Sequence, residues 1–114
     1  MEKTLIISDV HNRTHIAEFI IKNENADVVI FLGDYFDSFG DDLNLDLVRE
    51  TAKWFSWSIN QPNRIHLCGN HDIPYWFPDN KYLECPGFDR YKWLQIRDIV
   101  SEKDWRKLKF HYNL

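Results

Sequence analysis

Three short polar clusters hold the side chains best suited to chemistry in this chain. Each cluster follows an apolar run, and the second and third begin with a glycine. Together they supply four carboxylates, two imidazoles and one amide. This set of ligands would hold two hard or borderline divalent cations beside a phosphate ester. The clusters are Asp9-Val10-His11, Gly33-Asp34-Tyr35-Phe36-Asp37 and Gly69-Asn70-His71-Asp72.

The set of ligands is incomplete after the third cluster. The only later histidine is His111, close to the last residue of the sequence. The chain therefore has the pattern of a dinuclear metal site from which part of the ligand set is missing.

Length and composition indicate one soluble domain. A chain of 114 residues has the usual size of a single domain. A hydrophobic fraction of 44% excludes a disordered chain, and 28% charged residues are typical of a soluble one. The sequence has neither a membrane span nor a signal peptide. Because Cys68 and Cys85 do not form a disulfide framework, we expect a reducing, cytoplasmic setting and no membrane partner.

The charge is distributed unevenly along a chain whose net charge is −4. Residues 88–114 carry seven lysines and arginines against four acidic residues, interleaved with aromatic side chains. Such a segment could form a nucleic-acid surface. Because the chain as a whole is acidic, we favour a solvated face of one or two helices whose aromatic side chains turn inward.

The hydrophobic pattern predicts a β-α-β-α-β order followed by a less regular part. Short apolar runs indicate the strands, and apolar residues at helical spacing indicate the helices. Pro62 blocks continuation of the second helix, and Ser101 opens a capping box. The predicted strands cover residues 4–7, 27–33 and 64–68, the predicted helices cover 14–25, 43–61 and 89–100, and a further strand begins within 109–113.

Alternating strands and helices predict an α/β fold with a mostly parallel sheet flanked by helices on both faces. In such a sheet the three clusters fall at the carboxyl ends of successive strands. Open α/β sheets bind their ligands at this edge. We therefore expect the three clusters to form one site.

The three clusters resemble the first three motifs of the calcineurin-like metallophosphoesterases. This superfamily includes serine/threonine phosphoprotein phosphatases, nucleotide and cyclic-nucleotide phosphodiesterases, and repair nucleases. The resemblance covers about residues 3–74. It implies that the βαβαβ unit corresponds to the first half of the family's four-layer αββα sandwich. It also implies that residues 1–114 are the N-terminal portion of a metallophosphoesterase domain.

The resemblance implies a role for each metal ligand. Asp9 and His11 would bind the first metal, and Asn70 would bind the second through its amide oxygen. Asp34 would bridge both ions, which suits a carboxylate because its negative charge offsets the repulsion between the cations. Mixed imidazole, carboxylate and amide ligands favour manganese, iron or zinc. Two such ions would lower the pKa of a bridging water and bind the attacking and leaving oxygens.

The resemblance also implies a catalytic pair. His71 would face the leaving group as general acid or as a stabiliser of the transition state, and Asp37 would orient that histidine. The pattern departs from the phosphoprotein phosphatases, because Ser38 stands where they have an arginine and Asp72 where they have a glutamate. The looser phosphodiesterase-like groups therefore fit better. The family's later Gly-His-x-His element is absent, and we do not expect His111 to replace it.

Two functions remain open from the sequence. The chain is either a metal-dependent phosphoesterase, hydrolysing a phosphomonoester or phosphodiester in a site completed by residues outside it, or a truncated, non-catalytic metal-binding or interaction module. The substrate in the first case is a phosphate ester.

The resemblance also predicts an uncovered sheet face, because the family packs a second sheet on the first. We expect the chain either to self-associate as a homo-oligomer through this face or to cover it with the aromatic-rich residues 76–105. The expected face comprises Leu5, Ile7, Val28, Ile30, Leu32 and either Ile65 or Leu67.

Overall fold

The computed structural model describes residues 1–38 and 44–112. Within these residues, three strands and five helices are present, and the first five elements follow the predicted β-α-β-α-β order. A helix at Ile73–Trp76 and a short 3₁₀ turn at Lys81–Leu83 lie in the part for which the sequence predicted no regular structure. The elements are β1 (Thr4–Ile7), α1 (Thr14–Glu24), β2 (Val28–Phe31), α2 (Leu45–Ser58), β3 (Arg64–His66), α3 (Ile73–Trp76), α4 (Arg90–Arg97) and α5 (Glu102–Trp105).

The sheet is parallel, with strand order β1-β2-β3, which confirms the predicted α/β fold class. The second and third strands are shorter than their apolar runs, because the chain leaves the hydrogen-bonded ladder before each glycine. The three strand ends consequently lie side by side at one edge of the sheet. This edge carries the three polar clusters.

The helices agree with the sequence pattern apart from their ends. The predicted start of the second helix at residue 43 lies outside the described residues. Helix α2 begins after Asn44, whose side chain accepts a hydrogen bond from the N–H of Leu47 at 3.1 Å. The capping box at Ser101 is present and opens α5. Near the predicted last strand, Lys109 forms a single parallel bridge to Leu67, and residue 113 lies outside the described part.

The core lies between the sheet and the helices. Val29 and Phe31 point from β2 into one apolar cluster with residues of α1 and α2. Helices α4 and α5 extend this cluster. Buried members from each element are Ala17, Val48, Ala52, Phe55, Ile96 and Trp105.

The opposite face of the sheet corrects the expectation that helices cover both faces. With strand order β1-β2-β3, right-handed connections place both crossover helices on the same face. On the other face Ile6 is 52% exposed and Leu32 is 46% exposed. Ile30 lies between the neighbouring strands there and is buried, but it does not belong to the core cluster.

The strand register also corrects the prediction of which residues form the open face. Leu5 pairs with Val29 and Ile7 with Phe31, so these two β1 residues face the helices, and Ile6 joins Ile30 instead. The aromatic residues within 76–105 do not cover the open face. Trp105 and its neighbours pack into the helix-side cluster, as the stacking of Trp76 on Trp105 illustrates.

No helix among residues 1–38 and 44–112 is long and apolar enough to cross a membrane.

We predict that the 114-residue chain self-associates through the open sheet face. Replacing Leu32 with lysine should raise the monomer fraction in sedimentation velocity at micromolar concentration, since a charge on this face opposes apolar burial. Phe19→Lys is the matched control, because Phe19 is 68% exposed on α1. A monomeric wild-type chain that binds no hydrophobic dye would contradict the prediction.

Candidate metal centre and catalytic residues

Backbone hydrogen bonds join the loop after β1 to the loop after β2. The N–H of His11 donates to the carbonyl of Asp34 at 2.9 Å, and the N–H of Asn12 donates to the carbonyl of Tyr35 at 2.8 Å. The first two clusters are therefore held against each other by the main chain. Their side chains do not have to find one another independently.

The carboxylate of Asp72 joins the loops after β2 and β3. Its two oxygens accept hydrogen bonds from the backbone N–H groups of Asp34 at 2.7 Å, Tyr35 at 2.8 Å and Gly69 at 2.8 Å. Asp72 is fully buried, and this burial raises its pKa to about 7, against the opposing effect of the N–H donors. Asp72 thus has a structural role that unites the second and third clusters.

Backbone strain is concentrated in the same loops. Among the described residues, six non-glycine residues have positive φ, and five of them lie in the first two clusters or directly after them. Residues in this conformation are uncommon and persist where the surrounding structure enforces it, as at many functional sites. The five are Asp9, His11, Asn12, Asp34 and Asp37, with φ between 40° and 66°.

The first group of metal-binding atoms comes from Asp9, His11 and Asp34, whose donor atoms lie within 4.8 Å of one another. The Nδ1 atom of His11 is 2.9 Å from the carbonyl of Phe36 and 2.7 Å from that of Asp37. Carbonyls only accept, so Nδ1 carries the proton and Nε2 presents its lone pair. Nε2 lies 3.5 Å from a carboxylate oxygen of Asp9.

A close backbone approach fixes the third ligand of this group. A Cβ atom at Gly69 would lie 2.2 Å from Oδ1 of Asp34, so only glycine permits this contact. The N–H of His71 donates to the same oxygen at 2.9 Å. The glycine of the third cluster thus allows the loop after β3 to orient the carboxylate of the second.

The second group of donor atoms comes from Asp37, His71 and Cys85. The Nδ1 atom of His71 lies 3.0 Å from Oδ2 of Asp37 and 3.4 Å from the sulfur of Cys85. Burial, together with the nearby carboxylate of Asp37, raises the pKa of the Cys85 thiol to about 11. The sulfur therefore remains a thiol, which donates to the carbonyl of Asn70 at 3.1 Å.

The two groups are neighbours. The rings of His11 and His71 are 5.3 Å apart between centroids and meet edge to face at 81°. Asn70 precedes His71 on the same loop and is exposed. The structure thus brings all three clusters to one edge of the sheet, as the sequence predicted. His111 is exposed and belongs to neither group.

The first group fits a divalent cation better than the second. It offers two carboxylates and the Nε2 atom of an imidazole ring whose Nδ1 faces two backbone carbonyls. In the second group the carboxylate of Asp37 already forms a buried ion pair with the Nζ of Lys92 at 3.1 Å. A cation placed there would face this ammonium, so the first group is the better candidate metal site of the two.

Lys92 and Tyr75 are functional candidates that the sequence analysis missed. Lys92 was assigned to a solvated face but is only 2% exposed, and the hydroxyl of Tyr75 donates to Asp37 at 2.5 Å. The relevant sequence pattern is a lysine in an otherwise apolar helical stripe. Phe88, Ile96 and Val100 are the other members of this stripe, spaced by four residues.

We predict that Asp34→Asn abolishes binding of a pair of Mn²⁺ ions while the chain stays folded. Asparagine can still accept the hydrogen bond from His71, but it lacks the charge needed to bridge two cations. Isothermal titration with Mn²⁺ measures the stoichiometry. Asp79→Asn is the matched control, because the Asp79 side chain is 93% exposed. Two ions bound to Asp34→Asn with unchanged affinity would contradict the bridging role.

Comparison with known proteins identifies the family to which this chain belongs. Searches of curated proteins and of solved structures gave no match. The family model described as calcineurin-like phosphoesterase matches residues 2–113. The match extends well beyond residue 74, where the motif resemblance ends, and it includes α4 and α5. The chain therefore belongs to the calcineurin-like phosphoesterase family.

Proposed function

We propose that this chain is a metal-dependent phosphoesterase that favours phosphodiesters. The observation that carries the proposal is the adjacency of the two groups: a cation-binding set formed by Asp9, His11 and Asp34 lies beside a histidine oriented by a carboxylate. Family membership supports hydrolysis of phosphate esters, and the strained loops support a site selected for function rather than stability.

The metal ligands fit two divalent cations of the manganese, iron or zinc type. Asp9 and His11 would hold the first, Asn70 the second, and Asp34 both. When bound, these ions supply a nucleophilic hydroxide at neutral pH and offset the negative charge of the phosphate. The carboxylates of the site could not otherwise tolerate an anionic substrate beside them.

His71 acts on the leaving group in this proposal. The Oδ2 atom of Asp37 would accept the Nδ1 proton of His71, and the proposal assigns the opposite nitrogen, Nε2, to the substrate. As a general acid, the imidazolium form of His71 donates its Nε2 proton to the leaving oxygen while the ester bond breaks, and it keeps its Nδ1 proton hydrogen-bonded to Asp37. Asp37 keeps the ring in place during this transfer.

One sequence feature, Ser38, favours phosphodiesters over phosphoprotein monoesters. Ser38 replaces the arginine that would grip a terminal phosphate, and its hydroxyl instead accepts a hydrogen bond from the buried amide of Asn12 at 3.0 Å. Position 38 therefore supplies no guanidinium group to bind a phosphate. A diester carries one negative charge less than a monoester, so it needs such a group less.

We predict that His71→Asn lowers turnover of bis(p-nitrophenyl) phosphate with Mn²⁺ by about 10²- to 10⁴-fold. Elemental analysis should find unchanged metal content, and Asp37→Asn should have the same effect more mildly. His15→Asn is the control, since His15 is exposed on α1.

Two results would contradict the proposal. Equal losses of metal and rate in His71→Asn would make this histidine a ligand. A wild-type chain that binds Mn²⁺ but hydrolyses no phosphodiester would favour the non-catalytic metal-binding module instead.

A further inference from the structure

The side chain of Asp37 is held at both of its oxygens. Oδ2 faces the Nδ1 atom of His71 at 3.0 Å. Oδ1 accepts hydrogen bonds from the hydroxyl of Tyr75 at 2.5 Å and from the ammonium of Lys92 at 3.1 Å. The carboxylate is 2% exposed, so water does not compete for these contacts.

Lys92 reaches Asp37 from a distant part of the chain. It lies on α4, 55 residues after Asp37, and its side chain is 3% exposed. Its ammonium also donates to the carbonyl of Gly87 at 2.8 Å. Burying an ammonium is costly unless an opposite charge and hydrogen-bond acceptors surround it. The carboxylate of Asp37 and the carbonyl of Gly87 are two such partners of the Lys92 ammonium.

The loop before α4 is shaped to enclose the carboxylate. Gly87 has a φ of 99°, and a Cβ atom at this position would lie 3.0 Å from Cγ of Asp37. The loop therefore approaches Asp37 so closely that a side chain at this position would crowd the carboxylate. The same loop brings the Gly87 carbonyl to Lys92.

We propose that Lys92, assisted by Tyr75, is a positioning residue for the leaving-group histidine. A carboxylate that rotates about its Cβ–Cγ bond would change the position of the acceptor that faces His71. Lys92 and Tyr75 bind Oδ1 and oppose this rotation, so Oδ2 remains a fixed acceptor for Nδ1 of His71. This role rests on the proposed phosphoesterase function.

The kinetic test compares Lys92→Met, Lys92→Arg and Tyr75→Phe in the full chain with Mn²⁺. Methionine fills the lysine volume without its charge. We expect kcat to fall about 10- to 100-fold in Lys92→Met, the range found for groups that orient catalytic ligands, with KM and Mn²⁺ affinity little changed. Lys92→Arg should restore part of the loss. Arg97→Met on the exposed side of α4 is the matched control.

The dependence of the kcat loss on the leaving group distinguishes a positioning role of Lys92 from a general disruption of the structure. If Lys92 acts through His71, the loss in Lys92→Met should be larger for a phosphodiester that releases phenol than for one that releases p-nitrophenol. A poorer leaving group needs more protonation by the acid. Tyr75→Phe should show a dependence on the leaving group in the same direction but of smaller size. If Lys92→Met does not fold, Tyr75→Phe alone decides the question. Equal losses for both esters would overturn the proposal.

A second readout does not need activity. In a ¹⁵N-histidine-labelled chain, the His71 resonances are identified by their absence in His71→Asn. We expect the wild type to show one tautomer with the proton on Nδ1, and Lys92→Met to show a mixture. An unchanged tautomer in folded Lys92→Met would overturn the positioning role. An inactive wild type with the expected tautomers would instead reject the proposed function and retain the positioning.

Discussion

The geometry of the site depends on the buried carboxylate of Asp72. Strands of three or four residues cannot by themselves fix the loops that follow them. Asp72 does so, since it binds the N–H groups of Asp34, Tyr35 and Gly69. The dependence is mutual. A buried carboxylate without hydrogen-bond donors would cost free energy. The strained loops in turn need an acceptor for backbone N–H groups that no longer bond to a neighbouring strand. Removing this interaction would loosen the second cluster from the third, although the N–H of His71 would still join them through Oδ1 of Asp34.

Asp37 connects the first donor group to His71, the proposed leaving-group histidine. Its backbone carbonyl faces Nδ1 of His11, and its side chain faces His71. A shift of this one residue would therefore disturb a proposed metal ligand and the proposed acid together. Its positive φ and the enclosure formed by Gly87 and Lys92 show that several elements act to prevent such a shift. The irregular second half of the chain thus supports the site formed by the first half.

The sequence predicted the elements that local pattern controls. Apolar runs ended by glycine identified the three strands, and parallel topology then placed the clusters at one edge. The roles of Lys92 and Tyr75 could not be predicted, because they depend on a contact across 55 residues and a lysine among aromatic residues resembles a surface position. The prediction of which residues form the open sheet face was wrong for another reason. It requires the strand register, in which Ile6 pairs with Ile30, and a shift of one residue exchanges the two faces.

In our proposal the chain divides its polar residues between a cation-binding group and an orienting group. Anomalous diffraction from crystals grown with Mn²⁺ tests this division, because the peaks locate the ions without reference to activity. We expect peaks bounded by Asp9, His11 and Asp34, with the ion pair between Asp37 and Lys92 intact. A peak bounded by Asp37, His71 and Cys85, with Lys92 displaced, would contradict this division.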